Sequence, residues 1–167
     1  MLFFVIAYFV PGLVQIGSYL FLGFLLILLF DIILLYKNPK GIEAERKLPE
    51  KLSNGDENEI CIFLKNINTF TTSVKIIDEL PVQWQIRDFE IFSNLKPGEE
   101  KKYTYHVRPT ERGQYHFGNL NIFSSTILNF VSRKQQFSAE AMVPNYPSFL
   151  QLKKYDFYAF SNRLQFM

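Results

Sequence analysis

The 167-residue sequence predicts a mainly β fold: an antiparallel, immunoglobulin-like β-sandwich preceded by an N-terminal transmembrane helical hairpin. Three observations carry that prediction. No charged residue occurs from Met1 to Phe30, and all 18 Lys and Arg lie beyond Tyr36. From Gly41 to Pro144 the apolar run gives way to alternation of period two, with no long amphipathic helical pattern. Turn formers punctuate that text every eight to twelve residues or so, the spacing of a sandwich.

The membrane part comes first, and residues 1–36 are assigned to it. "LVQIGSYLFLGFLLILLFDIILLY", Leu13 to Tyr36, would span about 36 Å as a helix, enough for a bilayer's hydrocarbon core. A soluble helix of that length would show a polar face, and here only Gln15, Ser18 and Asp31 are strongly polar. Upstream, "MLFFVIAYFVPG" is apolar but too short to cross alone, and Pro11-Gly12 predicts a break. These residues are read as the clipped end of a first membrane helix. A signal peptide would want a basic start and a small-residue cleavage site, and the sequence has neither. Lys37, Lys40, Arg46 and Lys47 follow the long run and no Lys or Arg precedes it, which predicts a cytoplasmic C-terminal side. Asp31 is expected near the headgroups or facing the partner helix; a functional intramembrane acid is the alternative.

The strands follow, in residues 37–146. "NEICIFLKN" places Ile60, Ile62 and Leu64 on one face and Cys61 and Phe63 on the other, which predicts a central strand. Cys61 is expected to be a small buried apolar residue, and one cysteine forms no internal disulfide. "SVKIIDEL" and "VQWQIRDF" predict two more strands parted at Pro81. "KKYTYHVRP" sets Tyr103, Tyr105 and Val107 against Lys102, Thr104, His106 and Arg108, a half-buried strand. "SNGDEN" at 53–58 and "LKPGEE" at 95–100 are turns. About seven strands are expected in all. Beyond Pro147, Ser148 as a cap and Phe149, Leu152, Tyr155 and Ala159 at helical spacing predict a short helical linker over 147–167.

Catalytic and cofactor chemistry leaves no motif. There is no phosphate-binding loop, dinucleotide fingerprint, nucleophile elbow or D-x-S-x-S cation site. One Cys and two His make no zinc spacing. His106 and His116 are read as surface strand residues, and the carboxylates as a solvated face. The net charge of +2 implies no polyanion-binding field, so Trp84 and the other aromatics are assigned to core packing rather than to nucleic-acid stacking. No catalytic, cofactor-binding or metal site is therefore assigned, and no cofactor is expected.

"RGQYHFG" at 112–118, with Pro144-x-Tyr146-Pro147 downstream of it and a membrane hairpin upstream, resembles the N-terminal part of a membrane-anchored bacterial family. That family is catalogued as domain of unknown function fifty-eight, and the text is most similar to its Bacteroidetes branch. The resemblance implies two transmembrane helices, a β-sandwich and then a von Willebrand factor A-like domain. It also implies a non-enzymatic role beside a MoxR-type AAA+ ATPase in assembling or maturing envelope complexes at the inner membrane. The implied partners are the bilayer, that ATPase and A-domain proteins, with no nucleic acid. An accessory or enzymatic part in envelope-polymer processing, or a truncated fragment, are the alternatives. The sequence departs from the family pattern in two further ways. Thr126-Ile127-Leu128-Asn129 replaces a turn that is often Pro-Leu-Gly, and the chain stops where the A-like domain would begin.

Within the same motif the inward face changes register. Tyr115 and Phe117 are odd-numbered, whereas Leu120 and Ile122 are even-numbered. One extra residue near Gly118-Asn119 predicts a β-bulge, with Gly118 supplying unusual backbone angles and Gly113 the preceding turn. Arg112 and His116 then fall on the solvent side.

Overall fold

The computed structural model describes residues 11–86 and 89–147. A helix, α1 (Pro11–Lys37), leads into β1 (Ile42–Lys47), β2 (Leu52–Ser53), β3 (Asn58–Asn66) and β4 (Thr72–Asp78). A 3-10 turn (Val82–Trp84) then precedes β5 (Glu90–Leu95), β6 (Glu100–Val107), β7 (Gly113–Phe117), β8 (Leu120–Ser125), β9 (Ser132–Phe137) and β10 (Ala141–Tyr146). The expected first limb of the hairpin at 1–10 and the expected linker helix beyond 147 lie outside the described residues.

α1 is one helix of 27 residues, about 40 Å long, and long and apolar enough to cross a membrane. Among the described residues there is one such helix rather than two. Pro11-Gly12, expected to break the chain, open this helix instead. Proline is tolerated in a first turn because its missing N–H would have no intrahelical acceptor there. Ser18 satisfies its hydroxyl by donating to the Gln15 carbonyl at 2.8 Å, so it adds little polarity to the helix surface.

One layer of the sandwich is β1–β3–β6, antiparallel throughout. β3 is its central strand, as its two apolar faces predicted. Ile60, Ile62 and Leu64 are buried, and Cys61 and Phe63 are half-buried on the outer face. Cys61 is thus not a core residue: strict alternation with three inward neighbours turns it out. The other layer is β5–β4–β8–β9, also antiparallel. It continues past two bends into β7 and β10, where the two-residue β2 joins β10 in parallel. Counting β7/β8 and β9/β10 as one bent strand each, and setting β2 aside, leaves the seven strands that the sequence predicted. Between the layers Ile42, Ile60, Ile62, Val74, Ile76, Leu95, Phe117, Leu120 and Ile122 form one core. Each large side chain fully buried there contributes roughly 1.5–3 kcal/mol, so the core dominates the favourable side of folding.

"VQWQIRDF" is not a strand where it is described. Pro81 starts a 3-10 turn, and Gln85 ends it in the left-handed region at φ 53°. The alternation was real but served another purpose. Trp84 turns in over Tyr115 and Phe117, with ring centroids 5.1 and 5.5 Å away, and closes one end of the core. Val82 and Ile86 stay exposed. The Tyr115 hydroxyl donates back to the Glu111 carbonyl at 3.0 Å, fixing the corner before β7.

The bulge lies where the register change put it. Gly118 N–H donates to the Glu79 carbonyl at 2.9 Å, and Glu79 N–H donates to the Asn119 carbonyl at 3.2 Å, so two residues face one. The Glu79 carboxylate accepts from Asn119 N–H at 2.8 Å and from Asn121 Nδ2 at 2.7 Å, which satisfies the donor that the bulge displaces. The reason for glycine differs from the one expected. Gly113 has φ 138°, but Gly118 does not have a positive φ. A Cβ at Gly118 would stand 2.8 Å from Glu79 Cβ and 2.5 Å from Glu79 Oε2. Gly118→Ala should therefore cost about 1–3 kcal/mol in urea unfolding. Pairing it with Glu79→Gly, which clears the clash, should cost less than the sum of the two single changes. An unchanged midpoint for Gly118→Ala would contradict the steric account.

Candidate functional site at the helix–sandwich joint

Asp31, the first charge in the sequence, is fully buried, and so is Leu35 one turn later. With Phe24 and Leu28 they form a stripe at spacings of four, three and four, one face of the helix. That face meets the β8–β9 connection. The Thr126 hydroxyl donates to Asp31 Oδ1, and Val131 N–H donates to Oδ2 at 3.2 Å. Thr126 Oγ1 also accepts from Leu128 N–H at 3.2 Å, so the turn's own backbone is tied into the chain of bonds. Asn129 takes φ 55°, a conformation a turn often gives to glycine and that asparagine tolerates. The Phe130 ring packs edge-on against Phe24 with centroids 5.8 Å apart. Among the described residues Asp31 is closed off from solvent and bonds the helix to the sandwich.

β9 holds the helix end. Arg133 donates to the Asn38 carbonyl at 2.8 Å and to the Leu35 carbonyl at 3.4 Å, and also bonds the Pro39 carbonyl. These are carbonyls left without helical partners, and a cation there complements the helix dipole. The guanidinium also lies 5.2 Å from the Tyr36 ring centroid, and Gln135 Nε2 donates to the Lys40 carbonyl at 2.5 Å. Hydrogen bonds to charged groups contribute about 1.5–3 kcal/mol each, so Asp31 and Arg133 make a joint of fixed geometry rather than a flexible tether.

A second polar cluster lies between the layers. Arg46 points inward from the edge strand β1 and forms an ion pair with Asp78 of β4; both side chains are fully buried. Arg46 also donates to the Gly118 carbonyl at 2.8 Å and to the Ala139 carbonyl, one at each of the two bends, and lies 5.1 Å from the Phe117 ring centroid. Tyr105 OH donates to Asp78 Oδ2 at 2.6 Å. The expectation of a solvated face therefore fails for Asp78. It also follows that Arg46, counted above among the flanking cations, is not a free juxtamembrane charge. Burial pushes the Asp78 carboxyl above its ordinary value, opposed by the Arg46 charge and the Tyr105 hydrogen bond.

Burial raises the Tyr105 hydroxyl well above the usual phenol range, and the Asp78 charge and their hydrogen bond raise it further. In the unfolded chain it ionises near pH 10. Its contribution to stability is thus present below about pH 10 and is lost as pH rises above that, by up to ~1.4 kcal/mol per pH unit. Tyr105→Phe should flatten the fall in unfolding free energy between about pH 10 and 11 relative to the parent chain. The same fall in both proteins would contradict the assignment.

His106 and His116 lie exposed on β6 and β7, as expected, and Arg112 is exposed as well. Cys61 Sγ lies 3.2 Å from Glu59 Oε1 on the outer face. Among the described residues no group of three or more His, Cys, Asp or Glu could hold a metal ion. A hollow of about 630 Å³ lies over the outer face of β1–β3–β6, and its charges include the Lys65–Glu100 pair at 2.5 Å. Exposed pairs of this kind contribute little to stability. The joint is the arrangement with a specific geometry, and what that geometry can do is orient one body on another.

No protein-family model matches the chain, and no curated protein matches it in sequence. Solved structures are similar to its sandwich. One is the seventh PapD-like domain of human CEP192, at 16% identity and TM-score 0.47, covering 64% of this chain and 87% of that one. Another is a CARDB domain from Pyrococcus furiosus, in complex with di-metal ions, at 20% identity and TM-score 0.44, covering 63% and 87%. A third is Salmonella alpha-2-macroglobulin, at 18% identity and TM-score 0.42, covering 64% of this chain and 7% of that one.

Proposed function

We propose that the chain is a membrane-anchored, non-catalytic interaction module of the bacterial inner membrane. α1 spans the bilayer, and an immunoglobulin-like sandwich, fixed to the helix end on the cytoplasmic side, presents its surface to a protein partner. The observation that carries this reading is the burial of Asp31 against Thr126 and Val131 on a helix that is largely apolar and, Leu35 apart, not buried. A lone acid bonded to a soluble domain at the end of an apolar run marks where a span stops and a rigid mount begins. The Tyr115 corner supports the immunoglobulin-like description. Exposed Lys37, Lys40 and Lys47, with Arg133 at the helix end, support the cytoplasmic side. The resemblance to the domain-of-unknown-function-fifty-eight family supports a MoxR-type AAA+ ATPase as the partner and envelope-complex maturation as the setting.

Two measurements test the reading. With Cys61→Ser as background, Glu57→Cys should resist a membrane-impermeant thiol reagent in intact cells and react after permeabilisation. Reaction in intact cells would reverse the orientation. A tagged full chain should also retain the ATPase in mild detergent, and a chain in which an unrelated soluble domain replaces residues 41–147 should not. Equal retention by both would remove the sandwich from the interaction.

A further inference from the structure

The β8–β9 tip is apolar where a solvent-facing hairpin would be polar. Ile127 is 76% exposed, and Leu128 and Phe130 are 47% and 51% exposed. The tip lies beside the helix, tied to it through Thr126, Phe130 and Val131. Phe130 contacts Phe24, and Phe24 is seven residues from Asp31 toward the N-terminus. Along the helix axis that is about 10 Å on the membrane side of Asp31.

The span itself locates the boundary. From Leu13 to Phe30 there is no charge, and such a segment is about 27 Å long, close to the ~30 Å hydrocarbon core. Asp31, satisfied by Thr126 and Val131, then lies at the hydrocarbon edge, with Arg133 and Lys37 above it at headgroup level. A tip bonded to Asp31 and packed on Phe24 cannot stand in water while α1 crosses the bilayer.

We infer that the β8–β9 hairpin is a second membrane anchor: Ile127, Leu128 and Phe130 insert among the lipid acyl chains of the leaflet that Asp31 borders. The inference rests on the reading of α1 as a span and adds to it the depth of the sandwich. The occupant of this apolar tip is lipid because the tip is continuous with the lipid-facing wall of the helix through the Phe24–Phe130 contact. Insertion of about 5–10 Å is what an interfacial apolar element reaches. The inserted tip adds to the joint a second point of attachment that fixes the depth of the sandwich against the bilayer.

The test uses the full chain with Cys61→Ser, reconstituted in phosphatidylcholine–phosphatidylglycerol vesicles, and single cysteines labelled with an environment-sensitive fluorophore. Labels are placed at Ile127, at Leu128, at Leu22 within the span and at Glu57 in the distant β2–β3 turn. Ile127 and Leu128 labels should be blue-shifted and quenched several-fold more than the Glu57 label by lipids carrying a nitroxide near the headgroup. The Leu22 label should be quenched best by a nitroxide deep in the chain. Quenching at Leu22 with water-like emission at both tip positions would overturn the insertion and leave the span intact. No quenching at Leu22 would overturn the span and the insertion together.

Discussion

Arg46→Ala should destabilise the sandwich by about 3–5 kcal/mol, because it strands a buried Asp78 carboxylate that no solvent reaches. Domains of this size have only ~5–15 kcal/mol in hand, so a substantial unfolded fraction at physiological temperature is expected. Trp84 is the single tryptophan and packs on Tyr115 and Phe117, so its emission reports the loss of the core directly. Two contributions make up the effect. The ion pair is one, and the Gly118 and Ala139 carbonyls, which lose their donor at the two bends, are the other. The combined change Arg46→Met, Asp78→Leu and Tyr105→Phe removes every charge and the hydroxyl, leaving only the two carbonyls unserved. It should cost less than Arg46→Ala alone, since a buried pair replaced by apolar groups is often near neutral. A urea midpoint for Arg46→Ala within error of the parent would show that the pair holds nothing together. An inward-pointing charge on an edge strand also guards against edge-to-edge pairing, so the single variant should aggregate more readily as well.

Asp31→Leu should leave the urea midpoint of the sandwich almost unchanged and loosen its attachment. The core lies elsewhere, whereas Thr126 and Val131 lose their acceptor. With a buried donor left without its acceptor costing about 1–3 kcal/mol, exchange of the Val131 amide should rise roughly 10- to 100-fold. Asp31→Asn keeps one acceptor oxygen and should fall between the two. Unchanged protection at Val131 in Asp31→Leu would mean that Arg133 and the apolar stripe hold the joint without the acid.

The alternating text from Asn58 to Asn66 and from Lys102 to Val107 was legible because each strand buries one face and its neighbours fix the register. The bend at Gly118-Asn119 was legible too, since a parity change along one strand has few physical causes. What alternation conceals is local geometry: "VQWQIRDF" alternates, yet Pro81 and the left-handed Gln85 make part of it a turn that aims one indole at the core. The joint and the Arg46 cluster were hidden for a different reason. Asp31 bonds Thr126 across 95 positions and Arg46 bonds Asp78 across 32, and no local pattern encodes either partner. Two partial signals existed. Asp31 is the lone acid of an apolar run, and Thr126-Ile127-Leu128-Asn129 is a turn with apolar residues where polar ones are usual. The turn and the acid proved to be two sides of one contact.

The attitude of the sandwich to the helix is set by that contact, and pulsed electron-resonance distance measurement tests it most directly. Nitroxides at Leu22 on the helix and Asn94 on β5, in the Cys61→Ser full chain in lipid nanodiscs, report the separation of span and sandwich. A single narrow distance distribution is expected for the parent and a broadened one for Asp31→Leu. A broad distribution in the parent itself would contradict a fixed joint.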